Sequence, residues 1–333
     1  MQHIRTHPNR RQTLAAAVGL IATPMVISQV QTQTPTYTDD IWQDTRRQRA
    51  VPVRIRWPQG VAPAAGWPVV IYSHGLGGSR DGGDVWGSAW AAAGMVVVHL
   101  QHAGSDIDAV RGVAGSFKDR AALRSVGGVD QLLARLQDVV FALDEITRLK
   151  TIDKSWRFVR AKAVGMAGHS FGAHTTLGAG GQSYPGHPGI KEPRIAALIA
   201  LSPTLPARGD AVQAFAFVKQ PTLCITGTRD DDVVGNSATP EKRAAVFGAL
   251  PPGNKAMLLL KEADHMTFGG VTGRVAGIWP RETVTAQLQP QHHELVARIS
   301  TDWWRAHLMG DGQTKARLQK PEGLAAQDIW QTG

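Results

Sequence analysis

The chain has 333 residues, of which 43% are apolar and 19% charged, and its formal net charge is +9. Such a composition can bury a sizeable core and excludes a disordered or collagen-like protein. Because no block of Lys and Arg with interleaved aromatic side chains accompanies the positive charge, we do not expect a nucleic-acid-binding protein.

The N-terminal segment has the parts of an export signal. Arg10 and Arg11 precede a mostly apolar stretch, residues 14–30, in a pattern that resembles a twin-arginine signal. We therefore expect residues 1–34 to be an export signal or a disordered leader, and the protein to be periplasmic or secreted. The apolar stretch is shorter than the roughly 20 residues of a spanning helix, so stable membrane insertion is not expected.

Short apolar runs, several of them rich in β-branched residues, alternate with amphipathic stretches along the rest of the chain. Continuous apolar runs are typical of strands buried on both faces of a sheet, whereas a period of 3.6 residues indicates helices. We predict strands at 51–57, 68–73, 95–100, 161–167, 195–201, 222–226 and 256–261, and helices at 87–93, 129–149 and 291–308.

This alternation predicts one α/β domain over residues 35–310, with a mostly parallel sheet and helices on both faces. Residues 311–333 are a C-terminal tail for which the sequence predicts no role. In the helix predicted at 129–149, the apolar side chains form one stripe, and Arg135, Asp138 and Glu145 lie away from it.

One glycine motif is Gly168-His169-Ser170-Phe171-Gly172. It directly follows a predicted strand, and a helix-like run begins after it. In that context Gly-x-Ser-x-Gly indicates a sharp turn that strains the serine, and bulky side chains at 168 or 172 would collide with their neighbours. The turn exposes the serine Oγ at a helix N-terminus, where the dipole favours negative charge. The motif predicts that Ser170 is a nucleophile.

A serine hydroxyl needs a base to take its proton, and in this arrangement an acid and then a histidine follow at the ends of later strands. Three consecutive aspartates, Asp230, Asp231 and Asp232, follow one predicted strand, and His265 follows the next. We predict His265 as the general base and Asp230 as the acid that orients it. Asp231 is the next candidate for the acid.

An earlier turn, Ser73-His74-Gly75-Leu76-Gly77-Gly78, also follows a predicted strand. Such a turn commonly contributes one backbone N–H to an oxyanion hole, and the residue after the nucleophile contributes the other. We predict Leu76 and Phe171 as the two donors.

We expect the walls of the substrate pocket at Trp86, Trp90 and the glycine-rich segment 104–128, which is a loop or a cap.

The two glycine motifs together resemble the platelet-activating-factor acetylhydrolase group and the related bacterial "predicted dienelactone hydrolase" proteins. Segments 49–53, 226–230 and 264–270 share the likeness. The resemblance implies an α/β-hydrolase fold with a Ser170–Asp230–His265 triad that cleaves carboxylic esters without a cofactor. True dienelactone hydrolases use a cysteine nucleophile, so opening of a lactone ring is not carried over to this chain.

The leading hypothesis is a serine esterase that acts on a small-molecule or lipid-like ester through an acyl-enzyme intermediate. A lactonase or an acyltransferase on the same triad, and a non-catalytic binding protein of the same fold, are the alternatives.

The spacing of the histidines predicts no metal site. The single cysteine, Cys224, has no partner for an intrachain disulfide and is expected in the core.

Overall fold

Nine strands form one sheet in the residues that the computed structural model describes, 37–113, 119–272 and 281–333. The predicted signal, residues 1–34, lies outside them. The strands are β1 (Tyr37–Asp44), β2 (Arg49–Arg56), β3 (Trp67–Ser73), β4 (Val96–Leu100), β5 (Val159–His169), β6 (Ile195–Leu201), β7 (Thr222–Arg229), β8 (Lys255–Asp264) and β9 (Ile329–Thr332).

The strands follow the order β1-β2-β4-β3-β5-β6-β7-β8-β9 across the sheet. Neighbouring strands from β4 to β8 in this order pair in parallel, whereas β1, β2 and β9 join by antiparallel pairing. Strand β4 lies on one side of β3, and β5 lies on the other side. Because β3 and β5 are parallel neighbours, their carboxyl ends lie side by side. The predicted fold, an α/β-hydrolase with a mostly parallel sheet, is confirmed.

Helices cover both faces of the sheet, and each face has its own apolar core. One core includes side chains of α1 (Asp84–Ala92) and α8 (Thr283–Leu308). The other includes side chains of α4 (Val129–Ile152), α5 (Phe171–Ala179), α6 (Ala211–Phe215) and α7 (Pro240–Ala249). The remaining helices are α2 (Ile107–Val113), α3 (Arg120–Ser125), α9 (Gly312–Arg317) and a 3-10 helix (His265–Gly269).

The strands contribute side chains to both cores because successive residues of a strand point to opposite faces. In β4, Val96 and Val98 enter the core beneath α4, and Val97 enters the core beneath α8. All three are fully buried. This explains why β4 begins with three consecutive valines and does not alternate with polar residues from its start. Cys224, in β7, is buried as expected.

Several elements differ from the sequence prediction. Helix α8 begins at Thr283, eight residues before the predicted start, and it contains Pro290. The described part of segment 104–128 contains α2 and α3. Residues 311–333 contain α9 and the edge strand β9, which pairs with β8. Among the described residues, no helix is long and apolar enough to cross a membrane.

The apolar stripe of α4 packs on the sheet as predicted, and Leu136, Val139, Leu143 and Ile146 are buried there. The surroundings of the charged residues of this helix are less expected. Arg135 and Asp138 lie outside the stripe, yet both are fully buried. The partners of Arg135 lie in the loops after β3 and β4, and those of Asp138 include His102 in the loop after β4 and Arg49 at the start of β2. These groups replace the water that a charged helix face ordinarily meets.

Truncation of Leu143 tests this packing. Leu143 is fully buried, so Leu143→Ala should lower the free energy of unfolding by about 3 kcal/mol through lost burial and the cavity it leaves. Ile152 lies on the same helix, is 65% exposed and provides the control. Ile152→Ala should change the free energy of unfolding by less than about 0.5 kcal/mol. Urea denaturation of both variants measures the difference. Equal effects would contradict the packing.

Candidate active site

The side chains of Ser170, Asp230 and His265 meet at the carboxyl edge of the sheet. Ser170 follows β5, Asp230 follows β7, and His265 follows β8. The Nε2 atom of His265 lies 2.9 Å from the Ser170 Oγ, and its Nδ1 atom lies 2.7 Å from the Asp230 Oδ1. A continuous hydrogen-bonded chain therefore runs from the hydroxyl through the imidazole to the carboxylate.

The backbone at Ser170 has the strain that its motif predicts. Its φ of 55° and ψ of −114° lie outside the regions that L-residues ordinarily adopt. Backbone hydrogen bonds hold this turn: the Ser170 N–H donates to the Leu201 carbonyl (2.9 Å), and the Ser170 carbonyl accepts from the N–H groups of Ala173 (2.8 Å) and His174 (3.3 Å). Such a conformation costs about 1–3 kcal/mol, which the surrounding structure must supply.

The two glycines of the motif are required by close backbone contacts. A Cβ atom on Gly172 would lie 1.9 Å from the carbonyl oxygen of Ser73, at the end of β3. A Cβ atom on Gly168 would lie 2.3 Å from the carbonyl oxygen of Gly172. Any larger residue at either position would push the turn away from β3.

The Asp230 carboxylate is fully buried and has a partner for each oxygen. Its Oδ2 atom accepts from the Thr226 hydroxyl (2.7 Å), and its Oδ1 atom lies between His265 and Arg243, whose Nε atom is 2.9 Å away. Burial alone would raise the pKa of Asp230, but the interactions with His265 and Arg243 hold that pKa below its usual value. The carboxylate is therefore ionised at neutral pH.

Asp230 alone of the three aspartates makes the hydrogen bond to His265. The Asp232 carboxylate instead accepts from the backbone N–H groups of Val234, Gly235 and Ser237. It shapes the loop after β7, as an aspartate at the start of a turn ordinarily does.

Arg243 also contacts the site, although no sequence motif indicates it. Its guanidinium, which is almost fully buried, donates to the backbone carbonyls of Asp230 and Ser202, both at 2.8 Å. It thereby fixes the loop that presents Asp230. Arg243 lies on α7, an amphipathic helix without a sequence motif, so only the folded structure brings it to the carboxylate.

The position of His265 is set by the 3-10 helix that it opens. The Asp264 carboxylate accepts from the Thr267 N–H (2.8 Å) at the start of this helix and binds Arg281 (2.7 Å). On the other side, His169 Nε2 lies 3.0 Å from the His265 carbonyl, to which it donates. Burial holds the pKa of His169 far below its usual value, so this imidazole is neutral.

The predicted oxyanion donors lie on both sides of the nucleophile. Phe171 is the first residue of α5, and Leu76 belongs to the loop after β3. This loop passes directly beside the nucleophile, because a Cβ atom on Gly75 would lie 3.5 Å from the Ser170 Cβ. In the part of the chain that the structure describes, the backbone N–H groups of Leu76 and Phe171 donate to no acceptor.

A cavity of about 540 Å³ opens over Ser170 and His265. A larger groove, of about 790 Å³, lies between β1 and α4 and contains none of the predicted site residues. The apolar lining of the smaller cavity comes largely from the segments predicted as walls and from the loops after β7 and β8; it comprises Leu76, Ile107, Leu123, Val233, Val234, Met266 and Val271.

The expectation that Trp86 and Trp90 line the pocket is wrong. Both side chains are fully buried in the core that α1 shares with α8. The Trp90 indole N–H donates to the Ser300 hydroxyl on α8 (2.9 Å), and the Trp86 indole N–H donates to the Phe268 carbonyl (3.2 Å). Because α1 packs its aromatic face against α8, these rings point away from the cavity.

A second Ser–His–Asp arrangement lies beneath the first. The Ser73 Oγ is 2.9 Å from His102 Nε2, and His102 Nδ1 is 2.9 Å from the Asp138 Oδ2. All three side chains are fully buried, so no substrate can reach this serine. Burial alone would raise the pKa of Asp138, but hydrogen bonds from His102 and Arg49 lower it to about 2. The network connects β2, β3 and α4 beneath the predicted oxyanion loop.

Replacement of Gly172 tests the close contact at the turn. Gly172→Ala should lower the free energy of unfolding by about 3 kcal/mol or more, because the added Cβ overlaps the Ser73 carbonyl. Gly248 on α7 has open space around its Cβ position, so Gly248→Ala should be neutral or stabilise by up to about 1 kcal/mol. Chemical denaturation measures both. A Gly172→Ala protein as stable as the parent would refute the contact.

The buried network predicts a pH dependence of stability. Burial lowers the pKa of His102 to about 4, whereas an unfolded histidine titrates near 6.5. Between about pH 6.5 and pH 4, the imidazole of His102 is protonated in the unfolded protein but neutral in the folded protein. The contribution of neutral His102 to the free energy of unfolding is therefore complete above pH 6.5 and falls as the pH is lowered toward 4. His102→Asn should reduce the slope of unfolding free energy against pH by about 1.4 kcal/mol per unit between about pH 4.5 and 6. An unchanged slope in urea titrations would contradict this.

Comparison with known proteins supports the resemblance that the motifs indicated. Residues 36–122 match the model of the family described as platelet-activating factor acetylhydrolase, isoform II. The matched segment contains the loop with Leu76, whereas Ser170, Asp230 and His265 lie beyond it. A search of curated proteins found no match to the chain. The chain is thus similar to this family over that segment.

Proposed function

We propose that the protein is a serine esterase that cleaves carboxylic esters through an acyl-enzyme intermediate. Ser170 is the nucleophile, His265 the general base and Asp230 the acid of the triad. The observation that carries the proposal is the hydrogen-bonded chain from Ser170 to Asp230, whose serine end faces an open cavity.

The first step is the attack of the serine on the ester. His265 Nε2 takes the proton of the Ser170 hydroxyl as the Oγ bonds to the carbonyl carbon. The carbonyl oxygen becomes negatively charged, and the backbone N–H groups of Leu76 and Phe171 bind it. The strained turn supports this step, because it presents the Oγ at the N-terminus of α5.

Asp230 makes the proton transfer favourable. Its ionised carboxylate accepts from His265 Nδ1–H, which fixes the tautomer that leaves Nε2 free to accept a proton. Once His265 is an imidazolium, the same carboxylate stabilises its charge. Nε2 then protonates the departing alcohol, and the acyl group stays on Ser170. His265 Nε2 then takes a proton from a water molecule as the water oxygen bonds to the acyl carbon. The bond between that carbon and the Ser170 Oγ breaks, the acid is released, and Nε2 returns the proton to the Oγ.

The cavity supports a small-molecule or lipid-like ester as the substrate. Its apolar lining suits an acyl chain or the apolar part of an alcohol. The matched family is described as an acetylhydrolase, which supports ester hydrolysis as the reaction. A lactonase or an acyltransferase would use the same three side chains. A lactonase would cleave a cyclic ester, whereas an acyltransferase would pass the acyl group to an alcohol instead of water.

Hydrolysis of p-nitrophenyl esters of increasing chain length tests the proposal. Ser170→Ala and His265→Gln should each lower kcat by about 10⁶-fold, and Asp230→Asn by about 10⁴-fold, because each removes a different part of one proton-transfer chain. Asp231→Asn is the matched control and should retain the parent rate. A Ser170→Ala variant with unchanged kcat would refute the proposal. Product analysis with a competing alcohol separates hydrolysis from acyl transfer.

A further inference from the structure

Arg135 places a fully buried positive charge beneath the oxyanion loop. Within the described residues, no carboxylate oxygen lies within 4.0 Å of its guanidinium. Its partners are oxygens of the two loops above it: Nη1 donates to the His74 carbonyl (2.6 Å), Nη2 to the Gly75 carbonyl (3.3 Å), and Nε to the Ser105 hydroxyl (2.8 Å). A buried cation is costly unless hydrogen bonds of this kind compensate it.

The bond to the Gly75 carbonyl bears directly on the oxyanion hole. The Gly75 carbonyl and the Leu76 N–H belong to one peptide unit, and in a trans peptide the two groups point in opposite directions. His74 Nδ1 also lies 2.6 Å from this carbonyl and donates to it. Arg135 reaches this carbonyl from α4, and together with His74 it fixes the orientation of the peptide unit. The Leu76 N–H therefore points away from α4, and among the described residues it donates to no acceptor.

The same guanidinium contacts the other proposed donor residue. Its Cζ atom lies 4.3 Å from the centre of the Phe171 ring, in a cation–π contact. Phe171 begins α5, so this contact stabilises the position of the helix end whose N–H is the second donor. One side chain thus touches both halves of the proposed oxyanion hole.

Arg135 remains charged at neutral pH although it is buried. Burial lowers the pKa of Arg135 to about 9, and the nearby Asp138 and Asp106 oppose this effect, so the guanidinium is protonated at neutral pH. A charged donor at a carbonyl polarises the whole peptide unit and strengthens its N–H as a donor.

We propose that Arg135 is a positioning residue of the oxyanion hole, which orients and polarises the Leu76 N–H and fixes Phe171. This role rests on the proposed esterase function. It predicts that loss of Arg135 weakens binding of the transition state more than binding of the substrate. A side chain that only stabilised the fold would lower thermal stability and leave that balance unchanged.

Arg135→Met, assayed with a p-nitrophenyl ester, tests the role. The variant should lower kcat about 100-fold and change KM less than about threefold, because the weakened donor acts on the oxyanion. A trifluoromethyl ketone, which adds to an active serine and forms a tetrahedral oxyanion, should lose affinity by the same factor as kcat/KM. Arg160→Met is the control: Arg160, at the opposite end of β5 from Ser170, donates to the Leu308 carbonyl, and its loss should leave kcat within about twofold.

Arg135→Lys keeps the charge but loses the planar fork that reaches several oxygens at once. It should lower kcat about tenfold, with a matching loss of affinity for the ketone. If Arg135→Met does not fold, Arg135→Lys tests the role of Arg135 by the same measurements of kcat and ketone affinity. Unchanged kcat in either folded variant, or a lower kcat with unchanged ketone affinity, would overturn the role of Arg135 alone. A parent protein that neither cleaves esters nor binds the ketone would overturn the esterase proposal with it.

Discussion

The close approach of the end of β3 to the turn after β5 determines the arrangement of the site. The Ser73 carbonyl occupies the space that a side chain at position 172 would need, so only glycine fits there. This contact brings the loop of Leu76 beside Ser170 and holds Ser170 in its strained conformation. It follows from the strand order, because β3 and β5 are parallel neighbours and their carboxyl ends lie together.

Two Ser–His–Asp arrangements with nearly equal distances lie in this region, and their surroundings separate them. Ser170 faces a cavity at a helix N-terminus, whereas Ser73 is fully buried and has ordinary strand geometry. Hydrogen-bond geometry alone therefore does not identify a nucleophile; access to a substrate and donors for the developing charge are also needed. The buried arrangement has a structural role, since the backbone N–H of His102 donates to His74 in the predicted oxyanion loop.

The sequence predicts the parts of the structure that depend on local patterns. The continuous apolar runs predict the parallel strands, and the Gly-x-Ser-x-Gly motif with the chain order of Asp230 and His265 predicts which side chains meet at the sheet edge. Burial of Arg135 and Arg243 could not be predicted, because the periodicity of a helix indicates water opposite its apolar stripe. In the folded protein, loop carbonyls take the place of that water. Burial of Trp86 and Trp90 could not be predicted either, because the helix that covers them, α8, lies about 200 positions further along the chain.

Labelling with a fluorophosphonate probe, followed by peptide mapping, tests the central claim most directly, because the probe reacts only with a serine that is both activated and accessible. We expect one adduct, on Ser170, that forms in folded protein and is lost on denaturation. Ser73, with its own histidine at 2.9 Å, is an internal control and should remain unmodified. A folded protein that is not labelled, or one that is labelled at Ser73, would show that Ser170 is not the activated nucleophile.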